Sequence, residues 1–283
     1  MSTITPTQPS AARATFMSAG SGLSFTGLVK SESIKLWSLR STYWTFSLII
    51  VAALGLAVAM SFAMSTATAA FDPNTGAPIA GSNAQLFVLV STTGLGLGQL
   101  IVAVLGVLTI SGEYSSGMIK STLTAVPNRL PALWAKVLVL FVFSFLIGLF
   151  SVVGSFLVAF PILGAKDVTV SFFDVDVILP LLGNVLFLAL IAVFSIGIGA
   201  IVRSSAGGIA TALGIILLLP TVVALFSLMV GWVADIMPFL LTMAGSEMVA
   251  PTTMESWQAL LVVLGWVAVS LGTAALLLKR RDA

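Results

Sequence analysis

Six stretches of the chain contain no Asp, Glu, Lys or Arg: 41–71, 73–112, 137–165, 177–202, 204–234 and 256–278. Each exceeds the ~20 apolar residues an α-helix needs to cross ~30 Å of hydrocarbon. The apolar runs are continuous rather than alternating, and a backbone in lipid must satisfy its own hydrogen bonds. The pattern therefore predicts helices rather than barrel strands. Trimming polar ends places six spans near 43–64, 85–111, 133–161, 178–202, 208–232 and 257–278, an all-α integral membrane fold. The connection 65–84 holds Asp72-Pro73-Asn74-Thr75-Gly76, a turn signal. The connection 233–256 holds an apolar run, Ile236 to Ala244, broken by Pro238. That run is too short to span, which predicts an interfacial or re-entrant helix, with an unstructured loop as the plainer alternative.

Residues 1–27 differ from the rest. They are rich in Ser, Thr, Ala and Pro and carry one charge, Arg13. No apolar core follows a basic start, so they read as a disordered cytoplasmic tail rather than a secretory signal, ahead of a membrane domain over 28–283. Composition supports the membrane reading: charged residues are 8% and apolar residues 59%. A soluble domain carries about 25% charged residues, and too little polar sequence exists here to cover a core in water.

Charge sets the expected orientation. With the N-terminus inside, Arg13, Lys30, Lys35, Arg40, Lys120, Arg129, Lys136, Arg203, Lys279, Arg280 and Arg281 all fall on the cytoplasmic side. Only Lys166 falls outside, while Asp72, Asp167, Asp174, Asp176, Asp235, Glu247 and Glu255 lie there. The positive-inside rule then puts both termini in the cytoplasm. The scattered basic residues fit topology better than a nucleic-acid surface.

The chain has no Cys and no His, which removes disulfides, thiol chemistry and the usual zinc-ligand sets, so no metal site is expected. No GxxxxGK[ST] sequence surrounds any lysine, and no Ser-His or Cys-His pair is possible, so the chain is not expected to be an enzyme on its own. No ionisable residue lies deep in a predicted span, which weighs against an ion-coupled secondary transporter. Among the mild polar residues inside spans, Gln99 and Asn184 are the weak candidates for substrate contact, although such side chains more often join neighbouring helices. Gly94 and Gly98 make a small-xxx-small face suited to close helix packing, with dimer contact as an option.

Two cytoplasmic segments carry more than loop chemistry. In Leu28–Trp44, Leu28, Val29, Leu36, Leu39 and Tyr43 share one helical face, which Glu32 interrupts. Lys35, Arg40 and the set Trp37, Tyr43 and Trp44 suit a helix lying at the inner headgroups, expected over 28–42. After the second span, Met118, Ile119, Thr122 and Leu123 form a small apolar knob beside Lys120. Pro127 and Pro131 are expected to force the chain out of helix before the third span.

From these residues the chain resembles the permease subunit of type-2 ABC transporters, the exporter class. The resemblance covers about 28–283 and rests on SESIKLWSLRSTYW, GEYSSGMIKSTL, PNRLPALWAK, the turn Arg203 to Gly208, and the ending LLLKRRDA. It implies that Glu113 to Leu123 is a coupling element seated in a groove of a soluble ATPase. Glu113 and Tyr114 would sit at its hinge and Gly117 would allow the bend. Met118, Ile119, Thr122 and Leu123 would make the apolar contact, and Lys35 to Trp44 would form the elbow. It further implies two permeases, alike or paralogous, working with two ATPase subunits that bind ATP and Mg, in a bacterial cytoplasmic membrane. The cargo would be hydrophobic or amphipathic. The Ser/Thr-rich tail is longer than the family pattern. A stand-alone secondary transporter or channel, and a non-transporting scaffold or sensor partner, are the readings from other classes.

Overall fold

The sequence Val175–Val202 is apolar on every face, and a helix of that kind belongs in the middle of a bundle. The computed structural model, which describes residues 24–67, 82–115, 117, 129–166 and 168–280, puts it there. In chain order the helices are α1 (Phe25–Ser38), α2 (Arg40–Ala67), α3 (Asn83–Ser115), α4 (Arg129–Gly164) and α5 (Val175–Val202). There follow α6 (Ser205–Leu213), a π-helical turn (Gly214–Leu218), α7 (Leu219–Ser227), a 3-10 segment (Gly231–Phe239), α8 (Leu241–Glu247) and α9 (Ser256–Arg280). Among the described residues every regular element is helical, and six helices are long and apolar enough to cross a membrane. The chain is a multi-pass membrane protein by that measure. α3, α4 and α9 pack around α5, and α2 closes the bundle against α3 and α4.

Close packing sets the α2–α3 crossing. A Cβ at Gly94 would lie 2.8 Å from the Ala53 carbonyl oxygen, so only glycine admits this approach. Gly98 likewise faces the Ile49 and Leu188 side chains. The α5–α9 contact adds a buried hydrogen bond in which the Ser270 hydroxyl donates to the Phe194 carbonyl at 2.8 Å.

Several boundaries differ from the sequence expectation. α1 begins at Phe25, where the Ser24 side chain accepts from the Gly27 amide, so helix starts earlier than the expected residue 28. It ends at Ser38, and Leu39 is extended (φ −85°, ψ 117°) before α2 starts at Arg40. Arg40 therefore falls in α2 rather than in the helix expected over 28–42, while Tyr43 and Trp44 fall in the first span, as 43–64 implies. Leu39 and Tyr43 are exposed, and the face turned to the bundle is Val29, Glu32, Ser33 and Leu36. Pro131 does not precede the third span. It occupies the first turn of α4, where its missing N–H removes no helical bond. Span five stops at Ser227 rather than 232.

Part of the connection between spans five and six packs into the bundle: Leu241, Ala244, Gly245 and Glu247 of α8 are buried, whereas no residue of the 3-10 segment is. The Trp266 indole N–H donates to the Phe239 carbonyl at 2.9 Å. Trp266 stands ten residues into α9, about 15 Å from its start at 1.5 Å per residue. The Thr242 hydroxyl reaches the Ile216 carbonyl at 3.5 Å, and Ile216 is the midpoint of span five. That carbonyl is available for a reason. Pro220, four residues on, has no N–H to send to it, and the helix widens into a π-turn just before the proline. α8 then returns towards the start of α9. There Glu247 gathers the amides of Thr252 (2.5 Å), Thr253 (2.9 Å) and Met254 (3.4 Å), with the Thr252 hydroxyl at 2.6 Å. Burial alone would raise its pKa, but these donors hold the carboxyl at about 2.

Candidate functional site

The chemistry-bearing cluster lies where α1 meets the ends of two spans. α1 presents Glu32 and Lys35 one turn apart, the last turns of α3 present Glu113, and the second turn of α4 presents Lys136. The Lys136 ammonium donates to Glu32 Oε2 at 2.6 Å and to Glu113 Oε1 at 3.0 Å. The Lys35 ammonium donates to Glu32 Oε1 at 2.6 Å and to Glu113 Oε1 at 3.1 Å. Two cations and two anions thus alternate in a closed, neutral square. Glu32, Glu113 and Lys136 are buried, and Lys35 is half-buried at its rim.

Burial of such charges is unfavourable by several kcal/mol each unless they are mutually paired and hydrogen-bonded. The square meets that condition by giving each lysine two carboxylates. Burial alone would raise the Glu32 pKa, yet Lys136 and then Lys35 hold it below the ordinary carboxylate value. For Lys35 burial would lower the pKa, and Glu32 and Glu113 together raise it.

The same end of the bundle has a second set of contacts. The Ser111 hydroxyl and the Ser205 hydroxyl are 3.0 Å apart, joining α3 to the start of α6. The Arg203 guanidinium lies 5.1 Å from the centroid of the Tyr114 ring. This end of α3 is therefore held on one side by α1 and α4 and on the other by the α5–α6 turn.

Of the residues singled out in the sequence, Lys35 and Glu113 are brought together directly. Tyr114 lies in the same last turn of α3, and Gly117 follows it, exposed, with φ +71°, a conformation that favours glycine. Met118, Ile119, Thr122 and Leu123 lie outside the described residues. Trp37 packs on Tyr43 (5.4 Å between centroids) and edge-on to Phe143 of α4 (5.5 Å), which joins the end of α1 to the bundle. Arg40 and Trp44 are exposed at the start of α2. Asn184 is buried on α5, and its Oδ1 has no hydrogen-bond partner among the described residues. Gln99 is half-buried on α3.

Sequence reading missed Glu32 and Lys136. Glu32 looks like a flaw in an apolar stripe, and Lys136 counts only as a topology marker. The spacing Glu32–Lys35 (i, i+3) was a visible signal for an ion pair, but the partner 104 positions away was not. A scan against protein-family models returns no match, and a search of curated proteins returns none either.

Proposed function

We propose that the chain is the membrane-spanning subunit of an ATP-binding cassette exporter of the type-2 class, driven by a separate soluble ATPase. The observation that carries this reading is the ion-pair square. It fastens one short helix, α1, both to the last turns of α3 and to the second turn of α4. Those two helices flank residues 116–128, which hold most of the Glu113 to Leu123 stretch that resembles a coupling element. A force applied to that stretch by a motor would be delivered to a braced pair of span ends rather than to a loose loop.

The remaining assignments follow from the same reading. The Lys and Arg distribution supports an orientation with the α1 end of the bundle and both termini on the cytoplasmic side, expected to be that of a bacterial membrane, where ATP is available. ATP and Mg belong to the partner, since this chain carries no phosphate-cradling motif. Two copies, or this chain with a paralogue, would frame the path. The sparsely polar span faces suit a hydrophobic or amphipathic cargo.

The test is affinity purification of the tagged chain from gently solubilised membranes, with mass spectrometry of what accompanies it. The reading expects a stoichiometric soluble ATPase with a Walker motif. Repeated absence of one, with the chain still folded, would move the assignment to a stand-alone transporter or a scaffold.

A further inference from the structure

Arg203 is the one non-glycine residue with positive φ among the described residues, at φ 56° and ψ 15°. A side chain in this left-handed conformation is strained, and glycine would relieve it. The chain uses glycine freely just beyond, at Gly207 and Gly208, yet keeps arginine at the cap itself. The backbone needs only the turn: the Arg203 amide donates to the Gly199 carbonyl at 3.0 Å, and glycine would do the same. What glycine cannot supply is the guanidinium over Tyr114.

The surrounding helices are packed too closely to slip. A Cβ at Gly199 would lie 2.9 Å from the Val107 carbonyl, and one at Gly208 would lie 2.7 Å from Val107 Cγ1. α3, α5 and α6 therefore meet almost backbone to backbone about two turns above Tyr114. The last turn of α3 projects beyond this contact, and the Ser111–Ser205 and Tyr114–Arg203 pairs tie it down.

We infer that Arg203 is a positioning residue. Its guanidinium, stacked on Tyr114, locks the end of α3 to the start of span five, so that both respond to residues 116–128 as one body. This rests on the exporter reading for its purpose but not for its test. The consequence is a mechanical route from the connection between spans two and three to span five, which ends at the π-turn and the Thr242 contact of α8.

The chain lacks cysteine, so paired spin labels can be placed without background. Labels at Ser115→Cys on α3 and Thr211→Cys on α6, both exposed positions, report the distance across the lock in the purified chain. The parent should give a narrow distance distribution. Tyr114→Leu should broaden it with Arg203 still present, and Tyr114→Phe, which keeps the aromatic face, should restore the narrow form. Arg203→Gly should broaden it as well, while the thermal midpoint stays level or rises because the strained cap is relieved. An unchanged distribution in Tyr114→Leu, or equal broadening in Tyr114→Phe, would overturn the inference. The measurement needs no ATPase, so it stands or fails separately from the purification experiment.

Discussion

Lys136 touches two carboxylates that come from helices on either side of it, and almost no water reaches the three groups. Truncating it alone leaves Glu32 and Glu113 buried with only Lys35 to share. Lys136→Met should destabilise the chain by about 3 kcal/mol, in the range for a broken buried pair. Adding Glu32→Gln leaves one neutral pair, Lys35–Glu113, and should recover most of the loss. Denaturation in detergent of the single and double variants checks this, and additive losses would contradict a shared network. The pH dependence has a definite sign. The lowered Glu32 pKa gives stability present above the ordinary value of 4.5 and lost as pH falls through the folded value. The raised Lys35 pKa gives stability present below 10.5 and lost as pH rises through its folded value. The square is thus whole across the neutral range. At this scale the sequence was only partly legible. Lys35 and Glu113 could be picked out, but a helical wheel scores Glu32 as a defect because it cannot see a lysine from another helix.

At the scale of elements, hydrophobic runs located all six spans, because length and apolarity are properties of a segment alone. Their ends were harder. Pro131 was read as a breaker, although the first turn of a helix has no use for its N–H. The break at Leu39 follows from backbone conformation, with no proline or glycine to announce it. A short apolar run interrupted by Pro238 marks 236–244 as too short to span, but which part of it packs inward is not legible, since that depends on Trp266 and on the Ile216 carbonyl. Glycines show the same contrast between pattern and contact. Gly55 and Gly94 both lie in apolar spans, but a Cβ at Gly55 would meet nothing within 4 Å. Gly94→Leu should prevent the α2–α3 crossing and sharply reduce the folded, monodisperse yield, whereas Gly55→Leu should leave it near the parent value. Size-exclusion profiles in detergent compare them directly. Equal tolerance at both sites would mean the crossing is not held by close backbone approach.

For the whole molecule, the described residues divide into a braced end and an end where α8 packs against the spans. At the first, α1, α3, α4 and the α5–α6 turn converge around Glu113 and Tyr114. At the other, α8 is tucked between spans and held by Glu247. Under the proposed exporter reading, a push at the braced end would reach span five, which carries the π-helical turn Gly214–Leu218. The proposed partner is the part of the account that rests on sequence resemblance and on the bracing, so it calls for the most direct test. A photo-crosslinking amino acid placed at Leu123 in intact membranes would capture whatever that segment touches. The account predicts an adduct with a soluble Walker-motif ATPase, weakened when Lys136→Met removes the brace. Adducts with lipid or membrane proteins alone, at a chain level equal to the parent, would contradict it.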